Sequence, residues 1–208
     1  MSEKKKMIKN ALILFAITLV AGLFLGLVYE VTKIPRANQI AKKQQEAYKT
    51  VFQDAQKFSV VDFNAADVAG YLAEKGLSQS MEVIDGVILA NDDSGNPLGY
   101  VINVTTKEGY AGNIVFSVGI KNDGTVNAIS MLSIAETAGL GMKAKEPAFK
   151  DQFANKNVDS FAYTKSGAVQ ENEIDAISGS TITTNAVTNG VNAAIYCFDY
   201  LTGGGSVE

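Results

Sequence analysis

Residues 81–134 read MEVIDGVILANDDSGNPLGYVINVTTKEGYAGNIVFSVGIKNDGTVNAISMLSI. Four runs in it, Met81–Ala90, Leu98–Thr106, Ile114–Ile120 and Val126–Ile134, are rich in valine and isoleucine, the residues that suit a pleated, packed surface. Turn chemistry separates them: Asn91-Asp92-Asp93-Ser94-Gly95-Asn96-Pro97, then Lys107-Glu108-Gly109, then Asn122-Asp123-Gly124. Connections this short join antiparallel neighbours, so the stretch predicts a meander of four strands.

Toward the C-terminus, Glu146–Phe153 reads as a short helix with Pro147 in its first turn. Further on, Asp175-Ala176-Ile177-Ser178-Gly179-Ser180-Thr181 is a turn of small residues. Ile182, Ala186, Val187, Val191, Ala194, Ile195, Phe198 and Leu201 then recur at helical spacing, which predicts a helix of about five turns from Thr181. The fold class is α+β: a twisted antiparallel sheet packed by helices. Toward the N-terminus, Asn38–Lys57 places Ile40, Ala47, Val51, Phe52 and Ala55 on one helical face, a connector packed on the domain; a solvated stalk is the alternative. The tail Gly203-Gly204-Gly205-Ser206 is expected to be disordered.

Ala11–Tyr29 is nineteen residues with Thr18 as its only polar side chain. As a helix it spans about 28 Å, close to the thickness of a bilayer core. Lys4, Lys5, Lys6 and Lys9 precede it, which favours a cytoplasmic N-terminus and a main domain on the outer, periplasmic face; Lys33, Arg36, Lys42 and Lys43 follow and blur the asymmetry. A cleaved secretory signal is the alternative, but the run is long for one and no small-x-small site follows. A lipoprotein signal is excluded, because no cysteine lies nearby. The chain therefore divides into a cytoplasmic N-terminus (1–10), a single-pass anchor in the cell (inner) membrane (11–30), a helical connector (31–58), a main domain (59–202) and the tail (203–208).

Composition removes several function classes. Residues 1–36 hold six basic and two acidic side chains, whereas residues 37–208 hold twelve and twenty. An acidic domain, with Arg36 the only arginine of the chain, argues against nucleic-acid binding. Histidine is absent, which removes Ser-His-Asp and Cys-His nucleophiles and all histidine-bearing metal sites. A single cysteine, Cys197, permits no intrachain disulfide and no iron–sulfur cluster held by this chain alone. It reads as a small buried apolar residue of the last helix. Any redox chemistry here needs an organic cofactor. No dinucleotide-binding fingerprint is present.

The Ser178-Gly179-Ser180-Thr181 turn is where a ligand could sit. The first amides of a helix lack internal partners and carry partial positive charge, which suits a phosphate; plain N-capping is the bland alternative. Two further stretches stand out. In Gly109-Tyr110-Ala111-Gly112-Asn113-Ile114 the glycines suit a tight backbone path, and Tyr110 could stack on a ring. In Glu136-Thr137-Ala138-Gly139-Leu140-Gly141 two glycines flank an apolar residue able to lie on a flat aromatic ring.

Together, in this order and behind one N-terminal span, these stretches resemble the G subunits of the Rnf ion-translocating ferredoxin:NAD oxidoreductase complexes. The C subunits of sodium-pumping NADH:quinone reductases are the sister family. The Asp175–Thr181 string resembles that family's flavin-attachment motif, with Ser180 where alanine is usual. Glu136–Gly141 resembles its Glu-Thr-Pro-Gly-Leu-Gly loop, with Ala138 for proline, and Gly109–Gly112 its Gly-Tyr-x-Gly strand entry. The resemblance implies an FMN-binding domain in which Thr181 carries FMN as a phosphoester, flanked by Ser178, Gly179 and Ser180. A separate magnesium-dependent flavin transferase would supply it from FAD, because a threonine hydroxyl without a base is a poor nucleophile. Asp175 matches the motif's acidic position and would cap the turn or orient that enzyme's substrate. Glu136 and Thr137 would fix the loop bearing Gly139, Leu140 and Gly141. Leu140 and Met142 would touch the ring, and Lys143 or Lys145 would favour its reduced, anionic form. The partners implied are the membrane, iron–sulfur and flavin subunits of a complex that passes electrons between ferredoxin and NAD while moving Na+ or H+. A stand-alone outer-face flavoprotein, a C-type quinone reductase subunit and a flavin-free anchored binding module are the competing readings.

Overall fold

Each central strand buries both its faces, which is why the strands read as near-continuous apolar runs rather than alternating ones. The computed structural model describes residues 3–204. Its compact units are Met1–Lys43 and Gln44–Glu208. The first is the greater part of helix α1 (Glu3–Val51), whose apolar side chains from Met7 to Ile40 are exposed. It holds one stretch long and apolar enough to cross a membrane. Pro35 lies inside the helix, which runs through it. Proline removes one hydrogen-bond rung and can bend a helix, yet here it does not end it.

In the second unit the last two turns of α1 are followed by β1 (Lys57–Val61), α2 (Ala65–Glu74), β2 (Glu82–Asn91), β3 (Pro97–Thr106), β4 (Ile114–Lys121) and β5 (Val126–Ser133). The five strands form one antiparallel sheet in chain order. The four predicted strands sit where the sequence puts them, to within a residue at each end. An edge strand, β1, is added to them, pairing Val60 with Ile88. Short helix α3 (Pro147–Lys150) lies between 3-10 turns at Gly141–Lys145 and Asp151–Phe153. A two-stranded parallel pair, β6 (Ala162–Thr164) and β7 (Glu173–Asp175), precedes helix α4 (Thr181–Asp199). A last helical turn, Tyr200–Gly204, holds the first two residues of the tail expected to be disordered; residues 205–208 lie outside the described residues.

Neighbouring strand residues go to opposite cores. Val87, Ile102, Val118 and Ile129 are in register across β2 to β5 and pack with Val187, Val191, Ala194 and Phe198 of α4. Ile88 and Val101, one step along, pack instead with Tyr48, Val51 and Phe52 from the end of α1. Each such side chain contributes about 2 kcal/mol by leaving water. Polar bonds fix the second face: Asn103 Nδ2 donates to Tyr48 Oη (2.7 Å), Ser117 Oγ donates to Asn103 Oδ1 (2.7 Å), and the Asn127 amide donates to the terminal Val51 carbonyl. The compact unit thus begins at Gln44, earlier than the boundary at residue 59, because Ala47, Tyr48, Val51, Phe52 and Ala55 are core residues.

Candidate functional site

Three segments far apart in sequence meet at the start of α4. A cavity of about 530 Å³ is lined by Tyr110, Glu136, Thr137, Leu140, Gly141, Gly179, Ser180, Thr181, Ile182 and Thr183. That volume falls in the usual range for small-molecule sites, about 300–1,000 Å³.

The floor is built around Glu136, a buried residue on the loop after β5. Its Oε2 accepts from Thr183 Oγ1 (3.0 Å) and its Oε1 accepts from the Ala111 amide (3.2 Å). One carboxylate thereby ties the Gly109–Gly112 loop to the first turn of α4. Gly141 closes over this bond. A Cβ there would sit 2.6 Å from Thr183 Oγ1 and 2.7 Å from Glu136 Oε2, so only glycine fits without displacing the pair. A second carboxylate, Glu108, accepts from Asn185 (3.0 Å) and Asn189 (2.7 Å), fastening the exit of β3 to α4.

The rim is apolar and exposed: Tyr110, Leu140 and Ile182 are 70, 43 and 52 % accessible. Large side chains this open around one concavity suit a flat apolar ligand. Above them the turn reverses at Gly179, whose φ of +76° is left-handed backbone that favours glycine. Ser180 is the N-cap residue of the 19-residue α4, yet no side chain caps that end. The first residues of the helix line the site, and the amides of a helix's first turn lack helical partners, which suits an anion.

Three threonines occupy the first turn, and their surroundings differ. Thr183 gives its hydroxyl proton to Glu136. Thr184 donates to the Ser180 carbonyl (2.9 Å) and accepts from the Ile177 amide (3.0 Å). Both are buried. Thr181 is half-exposed on the cavity wall, and among the described residues no hydrogen bond occupies its hydroxyl. Of the three it is the one whose hydroxyl has no partner among the described residues.

Eight sequence-derived candidates therefore share the cavity: Tyr110, Glu136, Thr137, Leu140, Gly141, Gly179, Ser180 and Thr181. Gly139 shapes the loop with φ +75°, and Met142 is half-buried in the following turn; neither lines the cavity. Lys143, Asp175 and Ser178 line a different depression of about 360 Å³, with Glu146, Phe149 and Gln152. Lys143 and Lys145, expected to favour an anionic ring, are exposed and neither lines the cavity. Asp175 does not cap α4. Its Oδ1 accepts from Ala168 (2.6 Å), and its own amide donates to Gln152 Oε1 (2.6 Å), so it braces the 165–172 loop. Beside it, backbone bonds from Val169 and Gln170 hold the Glu173 carboxyl below its ordinary range.

Ile182 and Thr183 were not visible as site residues. Helical spacing assigns Ile182 to the buried face, whereas it is an exposed rim residue. The Thr183–Glu136 pairing spans 47 positions and has no local signature. Cys197 is buried, and burial pushes its thiol up to about 12, as befits an inert core residue.

Two family models match the chain: an FMN-binding domain over residues 109–196 and an RnfG N-terminal region over residues 1–51. The chain is 34 % identical over 200 residues to the G subunit of the Na+-translocating ferredoxin:NAD+ oxidoreductase complex of Acetobacterium woodii, covering 95 % of this chain and 94 % of that one. It is 30 % identical over 185 residues to the G subunit of the proton-translocating ferredoxin:NAD+ oxidoreductase complex of Clostridium ljungdahlii, covering 89 and 88 %. Among solved structures, the C subunit of the Na+-translocating NADH-quinone reductase of Parabacteroides distasonis has the same fold, with a TM-score of 0.50 at 23 % identity over 71 % of this chain and 76 % of that one.

Proposed function

The chain belongs to the RnfG family, the G subunits of ion-translocating oxidoreductase complexes, and on that premise we propose that it is a membrane-anchored electron relay carrying FMN esterified to Thr181. The observation that carries this reading is the convergence of three sequence motifs on one cavity beside a half-exposed threonine with an unengaged hydroxyl.

The residues present fit the group. The uncapped N-terminus of α4 suits the phosphate, and the Tyr110–Leu140–Ile182 rim suits the flat ring. Bound FMN supplies a carrier able to pass electrons singly or in pairs. The protein's part is to hold it: Thr181 by the ester, Glu136 by tying the loops under it, Gly141 and Gly179 by letting backbone approach closely. The apolar rim of Tyr110, Leu140 and Ile182 would cover one side of a bound ring against water. Attachment would fall to a separate magnesium-dependent flavin transferase: Thr181 Oγ1 would lose its proton and bond to the phosphorus of the FMN half of FAD, with the pyrophosphate bridge broken and AMP the leaving group. This chain offers no histidine to activate its own hydroxyl.

In the complex the protein passes electrons between ferredoxin-side and NAD-side partners, coupled to movement of Na+ or H+, the two ions that its relatives' names carry. Lys4, Lys5, Lys6 and Lys9 ahead of the apolar stretch keep the N-terminus cytoplasmic, and the flavin domain lies on the outer face. The test is flavin fluorescence that survives denaturing electrophoresis. Wild type and Ser180→Ala retain it; Thr181→Val loses it while remaining folded. Retention at full occupancy in Thr181→Val would place the attachment elsewhere.

A further inference from the structure

Of the ten residues lining the cavity, Glu136 alone bears a charged side chain. It is 6 % exposed, and both its oxygens already accept hydrogen bonds, from Ala111 N and Thr183 Oγ1. Among the described residues no cation pairs with it; Lys150–Asp151, an ion pair, lies on another surface segment. Lys143 and Lys145 are exposed to solvent and outside the cavity, where water and salt screen them. The one charged side chain lining the cavity is therefore an acidic one, and it is buried.

We infer that the Glu136 carboxylate sets the reduction potential of the cofactor held here, keeping it low. The inference rests on the reading that FMN occupies this cavity. Each electron arriving from the upstream donor adds one negative charge to the occupant unless a proton follows it. A buried, cation-free anion in the wall makes that added charge costly, so the oxidised form is favoured and the relay donates electrons readily. Two hydrogen bonds offset part of the carboxylate's own charge; weakening either sharpens its effect. Glu136 acts through its field rather than by contact with a reacting atom, so it is a positioning and tuning residue.

Glu136→Gln separates charge from scaffold. The glutamine oxygen can accept from Ala111 N, and its NH2 can donate to Thr183 Oγ1, because a hydroxyl can turn from donor to acceptor. The clamp survives and the charge does not. Thr183→Val does the opposite, keeping the charge and deleting a donor that offsets it. The experiment is a dye-equilibrated redox titration of the full-length, flavin-loaded protein in detergent, with intact mass verifying one FMN per chain in each variant. Glu136→Gln should raise the midpoint potential by at least tenfold in the reduced-to-oxidised ratio, about 59 mV for a one-electron couple. Thr183→Val should lower it. A rise in both variants would mean that loosening the site, not charge, moves the potential, and would overturn the inference. So would an unchanged or lowered potential in Glu136→Gln, or an unchanged one in Thr183→Val if the former fails to load. Wild-type protein lacking the FMN mass would instead sink the functional reading beneath it.

Discussion

Replacing Gly141 by alanine tests how tightly the cavity floor is built. The backbone there is not left-handed, so the cost is purely one of space. The new methyl would fall 2.6 Å from Thr183 Oγ1, 2.7 Å from Glu136 Oε2 and 2.8 Å from Glu136 Cβ. Neither neighbour is a free-swinging tip, because both are committed to each other and buried. Breaking a hydrogen bond to a carboxylate costs about 1.5–3 kcal/mol, and forcing a methylene into a packed site about 1–3 kcal/mol. Partial relaxation spares some of each, leaving about 2–4 kcal/mol. For a chain of this size that is a fall in Tm of about 4–16 °C. Gly139→Ala is the control: its φ of +75° brings backbone strain of about 1 kcal/mol, but nothing lies within 4 Å of the added carbon. Thermal unfolding of both variants in detergent, with flavin occupancy from visible absorbance, reads the difference. Gly141→Ala should lose more stability than Gly139→Ala and load less flavin. Equal Tm values, or full loading of Gly141→Ala, would refute the reasoning that the Glu136–Thr183 bond is the floor.

On the opposite sheet face, Tyr48→Phe leaves Asn103 Nδ2 without its buried partner and should cost about 1–3 kcal/mol in denaturant unfolding, with flavin loading unchanged. Glu82 is buried with Oε2 unpartnered beside Gly190. Burial, opposed by a bond from Thr106 and reinforced by nearby Glu108, pushes its carboxyl up from 4.5 to about 8. The folded state then holds a proton that the unfolded chain has released, so this group's stabilisation is complete below pH 4.5 and is lost as pH rises toward 8. Glu82→Gln should flatten that slope and be the more stable protein at pH 8; a parallel pH profile in both would contradict it. Asp175→Ala releases the Ala168 amide and should speed proteolytic nicking within residues 165–172 while leaving stability within about 1 kcal/mol of wild type.

The meander was legible because its strands are apolar on both faces and its turns are punctuated by Asn, Asp, Gly and Pro. β1 was not, since Phe58, Val60 and Val61 are too few to outweigh the flanking polar residues, and Val60 is itself exposed. Helix α2 hides for the same reason: it buries only Val68 and Leu72, and its signal is one Asn64 cap bond to Ala66. In the site, local motifs pointed to the right backbone turns. Residue roles were harder. Asp175 and Lys143 lie close in sequence to the attachment turn and to the Leu140 loop, yet they face a different depression, because Gly179 and the 3-10 turn after Leu140 reverse the chain between them. Thr183 escaped because its importance comes from a partner 47 positions away.

The most direct measurement is peptide mass spectrometry of the full chain, expressed with and without a flavin transferase. With the enzyme, the fragment holding Thr181 should gain one FMN less one water, and fragmentation should put that gain on Thr181 rather than on Ser178, Ser180, Thr183 or Thr184. An unmodified fragment from flavin-competent cells, or the gain on any of those four neighbours, would contradict the role given to the one open threonine of the first turn of α4.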